Sequence, residues 1–129
     1  MKKYIIRNAK GEIMGAFTFN PLDGAMIQRY VNTFQDKEAI VKMVEPLRNI
    51  SMNSTGSAQT IRDSFTLRKV EKDFKESFDY VFGAGAYKSF FTSIRPFAAH
   101  TSGGFYCMQV VEAIGKVVCD EFEKVRESL

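Results

Sequence analysis

Two short apolar stretches, Tyr4-Ile5-Ile6-Arg7 and Ile13 to Phe19, flank the run Asn8-Ala9-Lys10-Gly11. Asn and Gly suit a tight reversal, so the pattern predicts an N-terminal β-hairpin over residues 1–19. In the second strand Ile13, Gly15, Phe17 and Phe19 are expected on one mostly apolar face, with Thr18 on the other. A two-stranded ribbon is not stable alone, so that face must pack on helices.

At Asn20-Pro21-Leu22-Asp23 the apolar period changes from two to three-to-four, and either Asp23 or Asn20 can serve as the N-cap of a helix. Ile27, Tyr30, Val31, Phe34, Ile40, Val41, Val44 and Leu47 then form the stripe of an amphipathic helix. Pro46 should end or kink it, because proline lacks a donor and pushes Glu45 out of the α region. Ser51 to Ser57 reads as a polar loop. A second helix is expected from Ala58 to Phe82, with Ile61, Phe65, Val70, Phe74, Phe78, Val81 and Phe82 inward and several opposite-charge pairs outward. Gly83 and Gly85 punctuate its end. Ala86 to Phe91 suits one short helix, stopped before Pro96.

Thr101 or Ser102 can cap a final helix whose stripe is Phe105, Met108, Val111, Ile114, Val118, Phe122 and Val125. Gly115 within it lowers helix propensity, which points to a place where another helix comes close. The expected architecture is a single α+β domain over residues 1–129, mainly helical. A β-hairpin packs on about three long helices and one short one, with 20–129 as the helical body.

Composition agrees with one globular core: the 129 residues are 45% hydrophobic and 26% charged. The apolar runs fall far short of a membrane span and no signal peptide is readable, so a cytoplasmic location and no membrane partner are expected. The net charge of +3 has a location. Residues 1–19 carry Lys2, Lys3, Arg7 and Lys10 against Glu12 alone, and the remaining chain is balanced. A basic terminus can touch phosphates or an acidic partner. Lysines that keep a solvated strand edge from pairing are the preferred reading.

The candidate chemistry is thin. Cys107 and Cys119 share a helix about 18 Å apart, too far for a disulfide, and are expected as reduced, buried, small hydrophobes. His100 is the only histidine, and nothing around Cys107 resembles a nucleophile motif. One His, two distant Cys and scattered acids make no metal set. Gly83-Ala84-Gly85 follows a helix rather than a strand, the wrong geometry for a phosphate cradle. Bases over Arg62 to Asp79 are matched by acids, so nucleic-acid binding by that helix is not expected. No catalytic residue, cofactor or metal is assigned, and the chain reads as an interaction protein rather than an enzyme.

One segment stands out by density: Phe82, Tyr87, Phe90, Phe91, Phe97, Phe105 and Tyr106. Half of these rings suit a core. A glycine-punctuated connector and a one-turn helix are not expected to bury them all, so Phe82, Tyr87, Phe90, Phe91 and Phe97 are the candidate partner-binding residues.

The same segment carries a resemblance. Phe78-Asp79-Tyr80-Val81-Phe82-Gly83-Ala84-Gly85-Ala86-Tyr87-Lys88, followed by Phe90, Phe91 and Arg95-Pro96-Phe97, is similar to the C-terminal region of tail assembly chaperones of long-tailed bacteriophages and prophages of Firmicutes. Phe17 to Asp23 and Arg29-Tyr30 fit the front half of that family loosely. Ala84 departs from it, since family members usually have an acidic residue after the first Gly. The resemblance implies a non-enzymatic protein, without cofactor, that coats the helical tape-measure protein in the host cytoplasm and helps to recruit tail-tube subunits. It also implies absence from the finished virion and expression as the short form of a frameshifted pair. Self-association is a further option. Two other classes stay open: a small phage DNA-associated or regulatory protein using the basic hairpin, and a minor virion structural protein.

Overall fold

The structure, a computed structural model, describes residues 2–35, 37–49, 57–92, 94–98 and 105–128. It is an α+β fold, an N-terminal antiparallel hairpin on a helical body. The polar loop expected at Ser51 to Ser57 lies outside the described residues up to position 56, as do His100, Thr101 and Ser102.

Strands β1 (Lys2–Arg7) and β2 (Ile13–Phe19) pair with Lys2 opposite Phe19 and Tyr4 opposite Phe17. The reversal is built by Asn8, whose Oδ1 accepts from the amides of Lys10 (2.9 Å) and Glu12 (3.0 Å). Gly11 takes the left-handed φ of +82° that the turn requires. Tyr4, Ile6, Phe17 and Phe19 face the core as the alternation requires, but Ile13 does not: it is 63% exposed. The cause is a bulge. Ile6 pairs with Gly15 and Arg7 with Ile13, which leaves Met14 as an extra residue and turns Ile13 to the opposite face.

Asp23, not Asn20, is the N-cap of α1 (Gly24–Tyr30), accepting from the Ala25 amide at 3.0 Å. Asn20 instead holds the preceding turn through the Leu22 amide. The expected single helix up to Pro46 is three pieces. After α1 come a π-helical turn at Val31–Gln35, then α2 (Lys37–Val44), then a 3-10 turn at Glu45–Asn49 that contains Pro46. The wide turn resets the phase. Met26, Tyr30, Phe34, Ile40 and Val44 are buried, whereas Val31 and Val41, expected inside, are exposed. Phe34 and Ile40 are six residues apart, a spacing that an unbroken α-helix does not put on one face.

Helix α3 (Ser57–Phe82) is the spine of the fold. Val70, Phe74, Phe78, Val81 and Phe82 form its buried face, and Phe65, expected with them, is 66% exposed. Nine residues separate Phe65 from Phe74, half a turn out of phase. At the end of α3 the Gly83 amide donates to the Asp79 carbonyl at 2.8 Å, and Gly83 and Gly85 adopt φ of +107° and +84°. Helix α4 (Ala86–Phe91) starts at once, and its Tyr87 amide donates to Asp79 Oδ1 at 2.8 Å. One carboxylate thus satisfies an otherwise orphan amide of the next helix across the corner.

Helix α5 (Tyr106–Glu127) has Phe105 at its N-cap position and no side-chain cap among the described residues, and the expected caps Thr101 and Ser102 lie outside them. The carbonyls of Ala98 and Pro96 accept from the Tyr106 and Cys107 amides, each at 2.8 Å, and do that work instead. Its buried face is Tyr106, Cys107, Val110, Val111, Ile114, Gly115 and Val118. Phe122, expected in the buried stripe, is 42% exposed. The close approach expected at Gly115 is present, and the neighbour is Tyr30 of α1: a Cβ at Gly115 would lie 1.9 Å from Tyr30 Oη. Gly15 has the same meaning on β2, where a Cβ would meet the Phe90 ring at 2.5 Å.

Candidate binding surface

The five rings assigned to partner binding do not form an open surface. Phe82, Phe90 and Phe91 are buried in the core, while Tyr87 and Phe97 are partly buried and pack against it. The physical reason is the position of α4. This short helix lies between β2 and α3, so it is covered on two sides rather than one. Phe90 sits against the bare backbone of Gly15 and 6.5 Å from the Phe17 ring. Phe91 turns the other way, edge-on to Phe74 at 5.6 Å, Phe78 at 5.3 Å and Tyr106 at 5.9 Å. Phe97 stands edge-on to Phe105 at 5.6 Å.

Tyr87 is the ring of this group with a polar role. Its hydroxyl donates to Glu71 Oε1 at 3.3 Å, and Arg95 reaches the same oxygen at 3.5 Å. Burial, and then the adjacent Glu71 carboxylate, hold the phenol well above its ordinary range, so it stays protonated as a donor. The distinctive stretch of the sequence is thereby accounted for residue by residue. Phe78, Val81 and Phe82 fill the core, Asp79 caps α4, and Gly83 and Gly85 take left-handed turns. Ala84 is exposed at the corner.

A broad cleft of about 1110 Å³ lies elsewhere, between the hairpin turn and α5. Ile6, Tyr30 and Tyr106 lie at its base, with Met14 and Ala113 beside them. Its rim is mixed in charge, with Arg7, Lys10 and Lys116 against Glu12 and Glu112. At its centre Gly115 lets the Tyr30 hydroxyl lie directly against α5, in space that any side chain at 115 would need. The Tyr30 phenol is raised by burial first, then by Cys119 and Glu112. The available signal for this cleft in the sequence was Gly115, which stands out by its unfavourable helix propensity.

The cysteines divide. Cys107 is fully buried, and desolvation pushes its thiol up to about 12, so it holds no thiolate at neutral pH. Cys119, expected to be buried, is exposed at the edge of the cleft. Brief treatment with iodoacetamide at neutral pH should therefore add one carbamidomethyl group to the native protein, at Cys119, and a second only after denaturation. Peptide mass spectrometry reads both sites, and native labelling of Cys107 would contradict its placement.

Among the described residues no group of three or more His, Cys, Asp or Glu side chains is placed to hold a metal ion. None of the described helices is long and apolar enough to cross a membrane. Comparison with family models, with curated proteins and with solved structures finds no match.

Proposed function

We propose that this chain is a non-enzymatic binding protein, a tail assembly chaperone of a long-tailed phage or prophage, that keeps helical segments of a tape-measure protein soluble during tail assembly. The observation that carries this reading is the α3–α4 corner. The stretch from Phe78 to Tyr87, on which the resemblance rests, works as one unit of core rings, a shared cap and two left-handed glycines. The residues that carry the resemblance are also those that this corner needs to fold. The departure at Ala84 falls on an exposed turn position without a packing task.

The buried aromatic cluster is not the receiving surface in this reading. The cleft under the hairpin turn takes that role, because it combines an apolar base with a rim of both signs. An amphipathic guest helix needs both: apolar anchors at three-to-four spacing and polar flanks. Recruitment of tail-tube subunits, location in the host cytoplasm and absence from the virion belong to the same proposal.

Co-expression with a tape-measure fragment tests it. The wild-type chain should hold the fragment in the soluble fraction. Ala113→Glu, which puts a charge beside the apolar base, should reduce the rescued amount several-fold while the thermal transition of the variant stays near that of the wild type. Failure of the wild-type chain to rescue any fragment would remove the chaperone reading. Equal rescue by the folded variant would remove the cleft from it.

A further inference from the structure

Each strand of the hairpin bonds the other along one edge and turns its second edge outward. On β2 the outer edge is occupied: the Ala16 amide points away from β1 and donates to Ser89 Oγ of α4 at 3.0 Å. Ala16 stands directly opposite Ile5. Opposed residues in an antiparallel pair point their backbone groups the same way relative to the ladder, either toward each other or both outward. The amide and carbonyl of Ile5 therefore face away from β2, and by the period of two so do those of Lys3. Among the described residues no backbone or side-chain partner reaches these amides.

The side chains along this edge have a definite chemistry. Ile5 is 53% exposed between Lys3 and Arg7, which are both exposed. Neither cation lies within ion-pair distance of a carboxylate among the described residues. The one acid of the hairpin, Glu12, is engaged by Asn8 Nδ2 at 3.3 Å. The edge thus offers alternating positive, apolar and positive positions beside unmet backbone donors.

We propose that β1 receives a third strand, an extended segment of a partner protein in which every second residue, on one face, is in turn acidic, apolar and acidic. Its backbone would bond Lys3 and Ile5, its acids would meet Lys3 and Arg7, and its apolar side chains would cover Ile5. This is β-strand addition, in which main-chain bonds give affinity and alternate side chains give selectivity. A second copy of this chain is the wrong occupant, because self-pairing sets Lys2, Lys3 and Arg7 against the same cations. The surface shares Arg7 with the rim of the cleft, but its backbone donors and the varied residues, Lys3 and Ile5, lie outside the cleft lining, and the proposal does not rest on the chaperone reading.

The test uses fluorescence anisotropy of the full chain with a labelled peptide of repeating Glu-Thr-Val-Thr sequence, which places glutamate and valine in turn on one face of the strand. Saturable binding is expected, weakened several-fold by Lys3→Glu and roughly tenfold by Ile5→Pro, which deletes one outward donor without touching the ladder to β2. A peptide N-methylated at alternate amides should bind at least as poorly, and this measurement decides the matter if Ile5→Pro disturbs the far-ultraviolet circular dichroism. The proposal would be overturned by no binding, by binding indifferent to N-methylation, or by self-association through this edge in sedimentation. Equal competition by duplex DNA would identify a general affinity for polyanions instead, and also overturn it.

Discussion

Phe78→Ala is expected to remove about 3–5 kcal/mol of stability, the range for emptying a fully buried aromatic site. Phe78 has no exposed surface, and its ring lies against those of Phe34, Phe74, Phe82, Tyr87, Phe90 and Phe91. Those neighbours come from the first helical segment, from α3 itself and from α4, so the cavity would open where three parts of the chain meet. A domain of this size is held by about 5–15 kcal/mol in total, so the loss is a large share of it. Urea unfolding followed by circular dichroism should show the midpoint falling sharply, with Phe78→Leu shifting it much less. A midpoint unchanged in the alanine variant would mean that the ring is not the centre of the core.

Gly115→Ala gives the second large effect, and here the sign is the test. Helix propensity alone favours alanine over glycine by about 1 kcal/mol in a helix interior. The packing says the opposite. The new Cβ would stand 1.9 Å from Tyr30 Oη and 2.7 Å from Cζ, on a ring that is only 8% exposed. Either α1 moves away from α5 or the ring leaves its place, and overpacking of this kind costs about 1–3 kcal/mol. The melting temperature should therefore fall. Tyr30→Phe in the Gly115→Ala background should restore part of it, since the atom in closest conflict is gone while Cζ remains too near. A rise in melting temperature on Gly115→Ala would show that the two helices do not touch at this point.

The hairpin, α3, α4 and the two glycine corners are legible in the sequence because local chemistry alone determines them. Asn8 and Gly11 make their reversal from their own side chain and φ, and Gly83 and Gly85 stop α3 in the same way. The misread positions all depend on something non-local or on phase. Ile13 is a β-branched residue in a good strand, but one extra residue at Met14 moves it to the other face. Phe65 belongs to an apolar run and still falls half a turn from Phe74. Val31 and Val41 follow the α period faithfully, whereas the chain between them does not.

The candidate site was the least legible part. Ring density pointed to Phe82, Tyr87, Phe90, Phe91 and Phe97, on the premise that a one-turn helix has a single covered side. Insertion of α4 between β2 and α3 removes that premise, and no pattern within residues 82–97 reports what lies above them. The cleft is harder still, because its walls come from positions 6–14 and 106–119 and each wall is unremarkable by itself.

The wiring of the hairpin into this core also sets a schedule for the ribosome. Phe17 meets Phe82 at 5.7 Å and Phe90 at 6.5 Å, and the Tyr4 hydroxyl bonds Glu121 Oε2 at 3.2 Å across a sequence separation of 117 residues. The first element to be synthesised is thus among the last to find its neighbours. During translation β1 and β2 emerge with their apolar face bare and wait for α4 and then α5 before they can dock. Closing such distant contacts is slow relative to helix formation, so α3 can be helical well before the hairpin has a surface to lie on. For that interval the nascent chain carries Tyr4, Ile6, Phe17 and Phe19 uncovered, a stretch that itself depends on protection until its own C-terminal half is made.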